Sequence, residues 1–246
     1  PWADYFELAA IGAPLWVVSL LTFFAVGIPF FFLFILGLKI LVRKLKTIGT
    51  PAKLVLLGLW LLSIIGLAVI GIQQATQRAF DGEVVNIETL PVTSQDTLYV
   101  AMRSNPEYSS GTYRSDVSIK YDENDNKIMY TTDLRLVVKT TRDSLARLEI
   151  VKMAQGKDDR DARNRAQNIE YNTEITGNRL YLDSYLTSEL TNNYRDQKVR
   201  VTLYLPVGST LYADDNISSF HRSSDFYGNI LQYDAEGNFL KIIDNG

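Results

Sequence analysis

KILVRKLKTIGTPAK, residues 39–53, holds five basic side chains, Lys39, Arg43, Lys44, Lys46 and Lys53, and no acidic one. It is pressed between two uncharged runs, Leu8 to Leu38 and Leu54 to Gln77. About 20 consecutive apolar residues cross a bilayer core about 30 Å thick, so each run is long enough for a transmembrane helix. The spacing predicts spans at about 14–41 and 54–76. Positive loops are retained in the cytoplasm. The flank before the first run offers Asp4 and Glu7, and the flank after the second offers Arg78 followed by Asp81, Glu83 and Glu88. The basic stretch therefore reads as a short cytoplasmic turn that determines topology, with both ends of the chain outside. Its lysines can also touch anionic headgroups.

The first run is preceded by acidic residues and is too long for an export signal, whose apolar part spans about 7 to 15 residues. Its 31 uncharged residues would reach roughly 46 Å as one helix, more than the hydrocarbon core. Trp2, Tyr5, Phe6 and Ala9 fall at helical spacing with Asp4 and Glu7 off that face, which suits a short interfacial helix. Gly12 and Pro14 permit a fresh helix start. Pro29 should kink the span, because it removes one backbone donor. The rings of Phe23, Phe24, Phe30, Phe31, Phe32 and Phe34 suit a lipid-facing surface, with docking of another helix as the alternative. In the second span Gly58 and Gly66 share nearly one face, a groove that can receive the first span or a second molecule. Neither run contains an ionisable side chain, which argues against transport, proton relay and intramembrane proteolysis.

The averages of the 246-residue chain, 46% hydrophobic with net charge −3, conceal this division. Five of its 25 basic and two of its 28 acidic residues fall before residue 74, leaving 20 and 26 for the rest. An outer part with net charge near −6 lacks the basic footprint that nucleic-acid binding starts from. Residues 79–246 read as short strands separated by turns. VRVTLYL at 199–205 alternates Val199, Val201, Leu203 and Leu205 with Arg200, Thr202 and Tyr204. LRLVVK at 134–139, LEIVKM at 148–153, DVSIKY at 116–121 and RLYLDS at 179–184 repeat the period of two. Turn signals at 121–127, 176–178, 205–209 and 235–238 punctuate them. The expected fold is a two-span transmembrane α-helical hairpin (1–78) followed by an all-β extracytoplasmic domain (79–246), β-solenoid-like or a β-sandwich. One short helix is expected at 157–168, where Asp159 with Arg163 and Asp161 with Arg165 are i, i+4 pairs. Ala162, Ala166 and Ile169 form a stripe there that can lie on a sheet.

The sequence has no cysteine and one histidine, which removes disulfides, zinc-finger spacings and thiol chemistry. Asp122, Asn124, Asn126 and Asp133 imitate a calcium loop, but Lys127 stands where that loop needs Gly, so a hairpin turn is expected. HRSSD at 221–225 sets His221 beside two serines and an aspartate, yet a catalytic triad is a matter of spatial geometry. We expect no enzyme, no catalytic or metal-binding residue and no cofactor.

The segments PWADYFELAAIGAPLWVVSLLTFFAVGIPFFFLFILGLKIL, GLWLLSIIGLAVIG, LEIVKMAQGKDDRDARNRAQNIEYNTEITGNRLYLDSYL and VRVTLYLPVGSTLYADDNI together resemble the C-terminal portion of bacterial phage-shock-protein-C (PspC) proteins. The outer part also resembles adhesin-type β-solenoid domains, through the turn Leu205, Pro206, Gly208 before a strand. The resemblance implies a fragment of a longer polytopic protein of the bacterial inner membrane, with the C-terminal domain in the periplasm. The short membrane module that names the family is expected to lie outside these residues. It further implies a role in envelope stress, exercised by binding other membrane or periplasmic proteins. A structural subunit of a larger membrane or secretion complex, with the β domain as docking platform, is the alternative.

Overall fold

The computed structural model describes residues 14–42, 49–105, 117–218, 220, 229–231 and 235–244. The chain divides into two compact units that meet in sequence between Gln77 and Arg78.

The first unit holds helices α1 (Leu15–Leu41) and α2 (Thr50–Thr76), both long and apolar enough to cross a membrane. Pro14 stands at the N-cap of α1. The second helix starts at Thr50 rather than near 54, because Pro51 in its first turn already has the backbone angle a helix start needs. Lys53 is thereby drawn into that first turn, and Lys39 occupies the last turn of α1. α1 runs on through Pro29.

Pro29 has no N–H, so the carbonyl four residues earlier, Ala25, loses its helical donor. Trp60 of α2 supplies one: its indole Nε1–H donates to the Ala25 carbonyl at 3.1 Å. In an apolar medium an unsatisfied backbone group costs several kcal/mol, so a free carbonyl there would be expensive. The indole thus joins the two helices at the point where proline opened one of them. Nearby, Leu21 of α1 fills the space over Gly66, 3.0 Å from where a Cβ would stand. Ile28 and Ser63 are buried in the unit, and the Ser63 hydroxyl donates to the Leu59 carbonyl of its own helix. Gly58 does not share this role, since a Cβ there would meet nothing within 4 Å. The groove expected across Gly58 and Gly66 is therefore local to Gly66.

The second unit contains β1 (Phe80–Leu90), β2 (Thr97–Arg103), β3 (Val117–Tyr121), β4 (Lys127–Thr131), β5 (Leu134–Thr141), β6 (Ala146–Gly156), α3 (Asp159–Gln167), β7 (Thr173–Thr176), β8 (Arg179–Asp183), β9 (Leu186–Glu189), β10 (Lys198–Pro206), β11 (Thr210–Ala213) and β12 (Phe239–Lys241). Among the described residues they form sheets ordered β1-β6-β10-β5, β12-β11-β2-β8-β7 and β3-β4-β9. Inward residues of the first two sheets, such as Leu148, Val201 and Leu203 with Leu98, Leu180 and Leu211, meet in one apolar cluster. Full burial of a leucine side chain contributes about 1.5–3 kcal/mol, which makes this cluster the main source of the domain's stability.

Three neighbouring pairs run parallel: β10 with β5, β11 with β2, and β2 with β8. Parallel neighbours cannot be joined by a tight hairpin, so they arise when the chain returns on a later pass. Such edge-to-edge stacking of successive passes makes the domain β-solenoid-like rather than an antiparallel sandwich. The corners stack as well. Gly208, at φ 96°, turns β10 into β11 so close to the earlier corner that a Cβ would lie 3.2 Å from the Ser94 carbonyl oxygen. Two residues on, the Thr210 N–H donates to the Asp96 backbone carbonyl of that same corner.

α3 starts later than the charge pattern suggests, because Asp158 is extended and acts as N-cap, accepting from the Asp161 N–H. Ala162, Ala166 and Ile169 are buried. Gly82 of β1 and Gly156 of β6 let the helix backbone close on the sheet, since a Cβ at either would lie 2.3 Å from backbone atoms of Ala162. Arg165 bonds Asp161 at 3.0 Å and also donates to the Asn192 carbonyl. The second expected pair, Asp159 with Arg163, remains an exposed surface without an ion pair between them.

Candidate functional site

The sequence-derived candidates lie mostly on the hairpin. Lys39 and Lys53 are exposed at facing ends of consecutive helices in the chain. Arg43, Lys44 and Lys46 lie outside the described residues, as do the proposed interfacial segment at residues 2–9 and His221 with its HRSSD stretch. Phe23, Phe30 and Phe34 are 63% or more exposed on α1, a surface suited to lipid.

Residues 121–127 form the turn of the β3–β4 hairpin. Its Asp122 carboxylate accepts from the backbone N–H groups of Asn126 and Asn124 at 2.8 and 2.9 Å. These bonds, that from Asn126 first, hold its carboxyl below the usual range. Asp133 lies beyond the five residues of β4, roughly 16 Å along an extended strand, so it cannot share a cation with Asp122 as a calcium loop requires. No group of three acidic or histidine side chains among the described residues could hold a metal ion.

What the strands do assemble is a row of aromatic rings on the solvent side of the second sheet. TLYA at 210–213 pairs residue for residue with TLYV at 97–100, so Leu211 stands beside Leu98 and Tyr212 beside Tyr99. Side chains alternate along a strand, so the leucines enter the core while the tyrosines face out. Phe239 of β12 is the cross-strand neighbour of Tyr212, and Arg179 of β8 that of Tyr99. The row Phe239, Tyr212, Tyr99, Arg179 thus crosses four strands. Ring centroids are 4.9 Å apart for Tyr212 and Phe239 and 5.5 Å for Tyr99 and Tyr212, and the Arg179 guanidinium stands 5.3 Å from the Tyr99 ring. Both spacings are those of attractive aromatic and cation–π contacts.

Beside the row lies a concavity of about 430 Å³, bordered also by Ala101, Tyr181 and Asp214. The small Ala101 in the position next along β2 leaves this space open. Phe239 is 63% exposed although it touches two other rings. Rigid rings with hydroxyls at their tips give large contact area at low entropy cost, a chemistry of binding. No nucleophile paired with a base stands in the row.

A second, polar concavity of about 600 Å³ is bordered by Asp122, Glu123, Lys127, Glu170, Asp183 and Glu189. Asp183 is buried and receives Arg103 Nε and Nη2 at 2.8 Å, and Glu174 takes Nη1 of the same guanidinium. The bond to Asp183 chiefly holds the Arg103 pKa above its ordinary value. Burial, reinforced by Asp183, pushes the Tyr171 hydroxyl far up, so it stays protonated. The Arg103 contacts tie β2 to β8 through Asp183 and to β7 through Glu174, which braces the sheet that carries the rings.

The aromatic row is absent from the sequence-derived candidates. Its signal was present in the four Leu-Tyr pairs at 98–99, 180–181, 203–204 and 211–212, each with its leucine buried. The pairs announce outward tyrosines. Which ones become neighbours depends on strand register, a long-range property.

Residues 120–246 match the family described as ToastRack found in some PspC, and residues 1–78 match the PspC transmembrane region. No curated protein and no solved structure matches the chain. One match falls on the apolar helices and the other on the solenoid-like domain from residue 120 onward, and the chain belongs to the PspC family as a membrane protein with a ToastRack domain.

Proposed function

We propose that this protein serves the envelope-stress response of a bacterial cell as a non-enzymatic binding protein of the inner membrane. Its basic turn, Lys39 to Lys53, lies in the cytoplasm and its β domain in the periplasm, an orientation supported by the one-sided distribution of Lys and Arg. The β domain binds a membrane or periplasmic protein, and the bilayer holds the hairpin. The observation that carries this reading is the row Phe239, Tyr212, Tyr99, Arg179, a partly exposed aromatic surface on a braced sheet. Nucleic acid is not expected as a partner, given the acidic outer domain.

A photo-crosslinking side chain placed at Phe239 in living cells tests the reading. A discrete adduct whose yield changes on envelope damage supports it, and a site that captures nothing above the background of an exposed control position such as Asn124 contradicts it. A second reading, a structural subunit of a larger membrane or secretion complex, takes the exposed rings of Phe23, Phe30 and Phe34 on α1 as a docking face for another helix instead of a lipid face. Under that reading a stoichiometric complex survives gentle detergent extraction from unstressed cells.

A further inference from the structure

Of the sheet edges in the outer domain, β1 differs from the rest. It is 11 residues long and pairs with β6 without a bulge from Phe80 opposite Gly156 to Leu90 opposite Ala146. Among the described residues nothing pairs with its other side. The remaining edges are short or covered: β3, β7, β9 and β12 have three to five residues. The outer side of β5 is bonded by Phe220, Asn229 and Ile230. A long free edge presents a ladder of unpaired backbone donors and acceptors, for which the matching occupant is another extended chain.

The side chains specify that chain further. Val85 and Ile87 are 49% and 60% exposed on one face of β1. The strand carries Asp81, Glu83 and Glu88, and no basic residue occurs between Arg78 and Arg103. Two copies of β1 laid together would oppose carboxylates, which is destabilising, whereas lysine or arginine opposite them is favourable. The edge is thereby guarded against its own copy and open to a basic strand. Asp81 and Glu83 share that face with Val85 and Ile87, so we propose that β1 is a strand-addition edge that takes an extended segment whose matching face sets basic residues opposite the carboxylates and apolar residues opposite Val85 and Ile87. It belongs to the first sheet, so it is a second interaction surface beside the aromatic row.

The test uses the chain in detergent micelles and three eight-residue peptides: one with threonine at every second position and two lysines then two valines at the others, the same with alternate amides N-methylated, and the same with glutamate in place of lysine. Methylation removes strand donors while keeping the charge. The lysine peptide should bind and slow hydrogen exchange of amides in 80–90. Methylation should weaken binding about tenfold or more, the effect of losing strand hydrogen bonds. The glutamate peptide should not bind, and the Glu83→Lys/Glu88→Lys variant, altered only at exposed positions, should lose the lysine peptide while keeping its thermal unfolding midpoint. Equal binding of methylated and unmethylated peptides would reduce the effect to charge and overturn the proposal. So would exchange protection at 80–90 in the chain alone that disappears on dilution, since the edge would then be occupied by a second copy.

Discussion

The hairpin and the outer domain are built by opposite rules. In α1 and α2 the long side chains point outward and the contact between helices is a narrow seam at Leu21, Ala25, Trp60 and Gly66. In the outer domain most leucines point inward, and three aromatic rings, half-buried Tyr99 and Tyr212 with exposed Phe239, touch in one row. Lipid is as apolar as leucine, so helices in a membrane gain little from burying more of it and rely on close approach and polar locks. Water rewards burial, so any large ring left outside a water-facing sheet is conspicuous. Exposed phenylalanines are therefore ordinary on α1, while exposed Phe239 beside Tyr212 is a feature that burial does not explain.

The sharpest way to break this contrast is in the solenoid core. Leu203→Ala removes a fully buried side chain and should destabilise the outer domain by about 2–5 kcal/mol, read as a lowered midpoint in denaturant. Gly156→Ala should follow, at about 1–3 kcal/mol, because its Cβ would stand 2.3 Å from the α3 backbone at Ala162.

The hairpin is tested through its lock. Trp60→Phe leaves the Ala25 carbonyl without its indole donor and should weaken helix association by about 1–2 kcal/mol, measured by reversible unfolding in micelles. Pro29→Ala gives that carbonyl a helical partner again. In the Pro29→Ala background the cost of Trp60→Phe should therefore shrink, and an undiminished cost would show that the indole acts through packing alone.

Smaller effects are expected at the surface. Asp161 titrates below the ordinary carboxylate range: burial opposes this, but the bonds from Arg165 and the Lys157 N–H outweigh it. Its contribution is present above about pH 3.9, the unfolded value, and is lost as pH falls through the lower folded value. Asp161→Asn should flatten the acid limb of the stability profile slightly, an effect of a few tenths of a kcal/mol for a partly exposed pair.

How much of this could be read from the chain follows from range. Period two gave the strands, since alternation at Val199, Val201, Leu203 and Leu205 needs no knowledge of neighbours. The cap at Asp158 and the pair Asp161 with Arg165 are local too, and the helix stands within two residues of the expected place. Of Gly58 and Gly66 only Gly66 meets the first helix, because small residues permit contact without requiring it. The Trp60 bond was half legible: Pro29 announces a free carbonyl at Ala25, but only the packing of two helices says which donor arrives. The aromatic row needed the parallel register of β11 on β2, residues more than a hundred positions apart in sequence.

The account turns on the claim that the outer rings bind while the hairpin anchors. The decisive measurement is envelope-stress output in cells carrying Tyr99→Ala/Tyr212→Ala, beside cells in which residues 15–76 are replaced by an unrelated two-span hairpin of the same orientation. The account predicts that the tyrosine variant, still inserted and folded, loses the response while the hairpin replacement keeps it. A full response from the tyrosine variant, or a loss confined to the hairpin replacement, would contradict it.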